Sequence, residues 1–84
     1  MPVEKRDHTI LLRGVISVEE AESLLCLLQE VQDPQLDLSG CEHLHAAALQ
    51  VVLAARPKIA SWPLDEGLKG WLARSLGEGE GGGG

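Results

Sequence analysis

Short apolar runs and longer amphipathic stretches alternate along this 84-residue chain, and that order constrains its fold more than any other feature. Residues 9–12 form a short, continuous apolar and β-branched run, which is typical of a strand buried on both faces. Two longer stretches place apolar residues at helical spacing of three and four, and the first has its stripe at Val18, Ala21, Leu24, Leu25, Leu28 and Val31. A third stretch, residues 45–55, is apolar nearly all round and is expected to be a substantially buried helix. Strands that alternate with helices predict right-handed crossovers and a mainly parallel sheet. We therefore expect an α/β fold, a small sheet with packed helices.

Capping and breaking residues set the expected element boundaries. Ser17 and Glu20 have the spacing of a capping box, which predicts the start of the first helix, and Pro34 predicts its end. Gly77 is a natural C-terminal cap for the last helix. The expected order is βαβαβα, with strands at 9–12, 35–38 and 58–62 and helices at 17–33, 45–55 and 65–76. Residues 1–7 are expected to be a frayed start, and Ser39-Gly40 a turn.

The length allows one domain, which we place at residues 1–76. Residues 77–84 contain only Gly and Glu and predict a flexible tail. Aromatic side chains are limited to Trp62 and Trp71, so Leu, Val, Ile and Ala must build the core. The apolar stripe of the last helix consists of Leu64, Leu68, Trp71, Leu72 and Leu76, so Trp71 is predicted to be buried. Trp62 is predicted either to be half exposed, as an interface anchor, or to pack over the last helix.

The net charge of −6 excludes several classes of partner. An acidic domain repels the phosphates of nucleic acids and the anionic surface of membranes. No apolar run approaches the ~20 residues of a membrane span, and the charged N-terminal sequence is unlike a signal peptide. These features predict a cytoplasmic protein without direct membrane insertion. Cys26 lies in an apolar helical stretch and is expected to be a reduced, buried thiol.

Cys41, His43 and His45 form a cluster that suggests chemistry, whereas Asp37 with Glu42, as paired carboxylates, is better explained by Asp37 capping the following turn. Cys and His are zinc ligands, but a structural zinc site needs about four, and nothing in the spacing requires His8 or Cys26 to complete it. An activated thiol would need an orienting group and oxyanion donors that the sequence does not offer. We therefore expect no metal, no cofactor and no enzyme activity. The two histidines are interpreted as solvated loop residues, or as partner contacts.

The segment that runs from Leu36 to Leu49, Leu-Asp-Leu-Ser-Gly-Cys-Glu-His-Leu-His-Ala-Ala-Ala-Leu, resembles the central segment of STAS domains. This family is named for sulfate transporters and anti-sigma-factor antagonists. Its segment reads Asp-Leu-Ser, then variable and apolar positions, then Asp-Ser-Ser-Gly-Leu at the start of a helix. The upstream Ile-Leu-Leu-Arg-Gly-Val-Ile at residues 10–16 is similar to the family's opening strand. The resemblance covers about residues 9–55 and continues more weakly to 76, and it implies a STAS-like fold.

The departures from the family pattern lie at the start of the second helix. Switch members of the family are phosphorylated on a hydroxyl residue there, but this chain has His45, Ala46, Ala47 and Ala48. The first turn of that helix therefore has no hydroxyl to carry a phosphate. Ser39 is the nearest hydroxyl residue and corresponds to a different position of the pattern. The resemblance thus implies a member without phosphorylation gating.

The resemblance implies a partner-docking surface where the second strand meets the second helix. We assign it to Ser39, Glu42, His43, His45 and Ala46, although the alanines are also explained as helix formers packed on the sheet. The implied function is a regulatory or scaffolding protein interaction in bacterial signalling, with a kinase, an anti-sigma-type regulator or a complex subunit as partner. One alternative is an accessory structural subunit of a cytoplasmic or transporter-associated complex. A self-associating dimer is another.

Overall fold

The computed structural model describes residues 2–77 and contains a four-stranded sheet and three helices. The strands are β1 (Val3–Arg6), β2 (Thr9–Ile16), β3 (Gln35–Leu44) and β4 (Lys58–Ser61). The helices are α1 (Val18–Glu30), α2 (Ala46–Ala55) and α3 (Glu66–Leu76). The strand order is β1-β2-β3-β4, with β1 antiparallel to β2 and the other neighbours parallel. The predicted mainly parallel α/β fold is confirmed.

The core lies between one face of the sheet and the helices. Ile10, Leu12 and Ile16 of β2 are fully buried beside Leu36 and Leu38 of β3. The side chains on the other face of β2 alternate with them and are half-buried or exposed. The prediction that residues 9–12 are buried on both faces is therefore wrong. The apolar run includes Leu11, but no second layer of helices covers that side of β2 within residues 2–77.

Two predicted boundaries are wrong because pairing between distant residues decides them. Residues 3–6, expected to be frayed, form β1 and pair with residues 9–12 of β2 through their backbones, although the side chains of Lys5 and Arg6 are exposed. Ser39-Gly40, expected to be a turn, lies inside β3, which continues to Leu44. The predicted tail falls, apart from Gly77, outside the described residues.

α1 begins after Ser17, the capping residue that the sequence indicated, and α3 has a side-chain cap that was not predicted. The capping box of α1 is present, and the Ser17 N–H and hydroxyl both donate to the Glu20 carboxylate. These bonds, the hydroxyl bond first, lower the pKa of Glu20. Asp65 caps α3 by accepting from the Leu68 N–H at 2.8 Å. Gly77 ends α3 in the left-handed region, at φ +81°, as predicted.

Several side chains predicted to be buried lie at the surface, among them Leu25 of α1, which is 41% exposed. Cys26 is exposed on α1, and Trp71 is 39% exposed on α3. Val18 of α1 is 50% exposed. The buried residues of α3 are Leu68, Leu72 and Leu76, because this helix contacts the rest of the molecule along only a narrow strip of its surface. Trp62 is half-buried and packs against the core, which does not decide between its two predicted positions.

Candidate docking surface

The proposed docking residues lie at one edge of the sheet, where β3 ends and α2 begins. Ser39, Glu42 and His43 belong to β3, His45 is the residue before α2, and Ala46 is its first residue. We call these five residues the docking rim. All five are exposed. Ligands of open α/β sheets bind outside the carboxyl ends of the parallel strands, which is where the rim lies.

Bulges in β3 explain why successive rim residues point into solvent. The pairing with β2 jumps from Leu11–Asp37 to Arg13–Gly40, and again from Gly14–Cys41 to Val15–His43, so β3 gains an extra residue each time. A bulge breaks the alternation of side chains across a sheet. Consequently Glu42 and His43 are both exposed, while Cys41 before them and Leu44 after them are buried. A strand read from its alternation alone could not have shown this.

His45 joins the rim to the start of α2. Its backbone N–H donates to the Ile16 carbonyl at 2.9 Å, which holds the segment against the end of β2. Its Nδ1 accepts from the Ala47 N–H at 3.0 Å, so the imidazole caps α2. Nδ1 can accept this bond only without a proton. His45 therefore has a structural role besides any contact with a partner.

The alanines after His45 divide between surface and core. Ala46 is exposed, Ala47 is half-buried, and Ala48 is completely buried. Packing against the core explains Ala47 and Ala48, so these two give no evidence of docking. Ala46 alone presents its methyl group to solvent, and a partner can approach the backbone closely there.

Asp37 fixes the conformation of Ser39. The Asp37 Oδ1 accepts from the Ser39 N–H at 2.9 Å and from the Ser39 hydroxyl at 2.7 Å. The hydroxyl bond, followed by the N–H bond, lowers the pKa of Asp37. Asp37 is therefore ionised at neutral pH and adds negative charge beside the rim.

Two apolar residues that the sequence interpretation did not assign to the site lie beside the rim. Val15 is 57% exposed and pairs in register with His43, and Val18 begins α1 at the same edge of the sheet. Both belong to stretches that the sequence presents as core-forming. The exposure of Val15 depends on the bulge in β3 opposite it, which the sequence could not show because it arises from the pairing of distant segments.

An open cleft of about 380 Å³ extends the rim towards α3. Ser39, Gly40, Cys41 and Glu42 line one wall, and Leu64 and Asp65 line the other. Leu64 was expected on the buried stripe of the last helix, but it precedes that helix and is 80% exposed. The cleft therefore combines an apolar side chain with two carboxylates.

Cys41 has the environment of a core thiol. Its side chain is buried, and its Sγ lies 3.6 Å from the His43 carbonyl oxygen. Burial, together with the nearby Glu42 carboxylate, raises the pKa of the thiol, which is the opposite of what an activated cysteine needs. Within residues 2–77, no three His, Cys, Asp or Glu side chains are close enough to share a metal ion.

No helix within residues 2–77 has the length and apolar character needed to cross a membrane. No model of a known protein family matches the chain, and no curated protein matches it. A solved structure described as "Crystal Structure Analysis of Mglu" is similar, with a TM-score of 0.47 and 18% sequence identity. The similarity covers 75% of this chain but only 19% of that one. A likeness this weak carries no argument about function, so the STAS resemblance stays a prediction.

Proposed function

We propose that this chain is a non-catalytic protein–protein interaction module that docks a partner through the docking rim. In this proposal it is a cytoplasmic, STAS-like regulatory or scaffolding component of bacterial signalling. The observation that carries the proposal is the exposure of all five rim residues at the carboxyl edge of the sheet, beside the exposed Val15 and Val18. A surface with apolar side chains and a polar surround has the composition of a protein interface.

Docking in this proposal is not gated by phosphorylation. The first turn of α2 has no hydroxyl to accept a phosphate. The Ser39 hydroxyl already donates to the Asp37 carboxylate at 2.7 Å, and a phosphate in its place would meet that negative charge. Binding would then depend on the concentrations of the chain and its partner.

The absence of catalysis in this proposal is supported by the character of the groups near the rim. Cys41 is buried and its pKa is raised, so little thiolate forms at neutral pH. The Nδ1 of His45 is used in capping α2, and Asp37 in binding Ser39. These three groups are committed to the local structure.

The test is a pull-down from native cell extract, identified by mass spectrometry, with the wild type beside Ala46→Asp. The substitution adds charge and bulk at the centre of the rim, but a carboxylate in the first turn of a helix favours folding, so the variant should fold. Gln29→Asp is the matched control, because Gln29 is exposed near the far end of α1. We expect one partner to be captured by the wild type and Gln29→Asp and lost with Ala46→Asp.

Equal capture of the same partner by all three proteins would show that the rim is not the docking site. Capture of a transporter ATPase, without any kinase or sigma-related factor, would favour the accessory-subunit alternative. A folded Ala46→Asp variant, shown by an unchanged circular dichroism spectrum, is required for either reading.

A further inference from the structure

The β4 side of β3 has a long free edge. β3 spans ten residues, but β4 pairs only with Gln35, Leu36 and Asp37. From Leu38 to the end of β3, the strand pairs within residues 2–77 with β2 alone. An unpaired strand edge presents backbone N–H and C=O groups to which another extended chain can bind. Edges of this kind are normally short, covered or charged, and this one opens into the cleft described above.

The lining of the cleft suits an extended segment. One wall is the edge of β3 at Ser39–Glu42, where the Ser39 N–H is already bonded to the Asp37 carboxylate. Leu64 stands on the opposite wall with 80% of its surface exposed. The neighbouring Pro63 is buried, so it anchors the loop from which Leu64 projects. A large apolar side chain held in this way offers a contact surface for an apolar residue of a bound strand.

The charge of the cleft restricts the kind of segment that fits. Glu42 and Asp65 belong to its lining, which contains no Lys or Arg. Asp37, next along β3, is kept ionised by its bonds to Ser39. Arg13 of β2 pairs in register with Gly40, and the stem of its side chain lies against Gly40. Its guanidinium lies 3.9 Å from the Glu4 carboxylate of β1, and its charge contributes to the lowered pKa of Asp37, so it offsets part of the negative charge beside the cleft. The cleft is therefore complementary to a basic segment.

We propose that the cleft binds an extended, Lys- or Arg-containing segment of a partner protein, which adds as a strand to the free edge of β3 beyond the end of β4. Backbone hydrogen bonds to β3 hold the segment, its basic side chains face Glu42 and Asp65, and an apolar side chain packs on Leu64. This inference rests on the proposed function, since Ser39 and Glu42 belong to both surfaces, and it specifies the chemistry of the partner.

The test uses the purified full chain, labelled with ¹⁵N, and a synthetic peptide of alternating Lys and Val residues. Two-dimensional NMR reports which backbone amides shift as the peptide is added. We expect saturable shifts, with a Kd below about 1 mM, at residues 38–42 and 64–65. A peptide with Glu in place of Lys should not bind. A peptide N-methylated at every residue, which cannot donate backbone bonds, should bind at least about tenfold more weakly.

Variants of the chain test the charge argument. Glu42→Lys should weaken binding of the Lys–Val peptide about fivefold, the effect of one exposed ion pair. Glu22→Lys, which reverses an exposed charge on α1, should leave binding unchanged. The proposal is overturned if the Lys–Val peptide causes no shifts at about 1 mM, since the expected Kd is below about 1 mM. Equal binding of the Glu or N-methylated peptides, or shifts elsewhere in the chain, would also overturn it.

The two proposals can fail separately. The peptide experiment needs no natural partner, and the pull-down with Ala46→Asp does not involve the cleft lining. If the peptide binds at the cleft and Ala46→Asp captures a partner as well as the wild type does, the strand-addition site is supported and docking at the rim is refuted. If the peptide fails to bind and Ala46→Asp loses the partner, docking at the rim is supported and the strand-addition site is refuted.

Discussion

Replacing His45 by Ala tests the inference that an imidazole in the docking rim also holds the start of α2. The Nδ1 of His45 accepts from the Ala47 N–H at 3.0 Å, and the substitution leaves that N–H without its side-chain partner. Loss of an N-cap side chain costs about 0.5–2 kcal/mol. The side chain of His45 is exposed, so water partly replaces it, and we expect a loss of about 0.5–1 kcal/mol.

That loss is measurable in a domain of this size. A change of 1 kcal/mol shifts the melting temperature of a 60–100-residue domain by about 4–8 °C, so we expect His45→Ala to melt about 2–8 °C lower. With a slope of about 1 kcal/mol per M urea, the unfolding midpoint should fall by roughly 0.5–1 M. Circular dichroism at the helix minimum follows both transitions.

Two further variants make the result specific to capping. His45→Asp provides a carboxylate that accepts the same bond and interacts favourably with the helix dipole, so it should be at least as stable as the wild type. Asp65→Ala removes the cap of α3 and should cost about 1 kcal/mol. If Asp65→Ala lowers the midpoint while His45→Ala does not, the bond between His45 and Ala47 contributes no stability and the reasoning is refuted.

Two other predictions concern the thiols and acid stability. In the folded chain DTNB should modify Cys26 at least about tenfold faster than Cys41, because Cys26 is exposed while burial raises the pKa of Cys41. The variant Cys26→Ser should lack the fast phase of the reaction, and a fast phase that persists in this variant would contradict the assignment. Asp37 has a folded-state pKa below its ordinary value near 4, so the stability it contributes is present above that pH and is lost as the pH falls below it. The urea midpoints at neutral and acid pH should therefore differ less for Asp37→Asn than for the wild type. An equal difference in the two proteins would show that the bonds from Ser39 to Asp37 do not stabilise the fold.

Features encoded by neighbouring residues were predictable from the sequence. The capping box of Ser17 and Glu20 and the terminal Gly77 each depend on contacts within a few positions, and they predicted the start of α1 and the end of α3 correctly. The alternation of strand-like and helical patterns gave the α/β class for the same reason. α1 nevertheless ends at Glu30, before the expected residue 33.

Features that depend on distant pairing were not predictable. β1 forms because its backbone pairs with β2, and its charged side chains give no local sign of a strand. The length of β3 depends on bulges opposite β2, so Ser39-Gly40 looked like a turn. The same bulges set which rim residues face solvent, and Leu64 reaches the cleft from a segment more than twenty positions away. The resemblance in sequence therefore suggested the rim residues, but the residues that surround them in space are set by tertiary structure.

The strand order has a consequence for how the chain folds. Every strand of the sheet pairs with the strand that follows it along the chain, so no strand must wait for a partner made much later. Only the β1–β2 pair is close in sequence, because each parallel pair closes over a helical crossover, and parallel pairing of this kind forms slowly. During synthesis, the β1–β2 hairpin and the first crossover through α1 can form before α2 leaves the ribosome, since domains assemble from the N-terminal end. The rim, at the junction of β3 and α2, is then completed midway through the process, and α3 closes the cleft last.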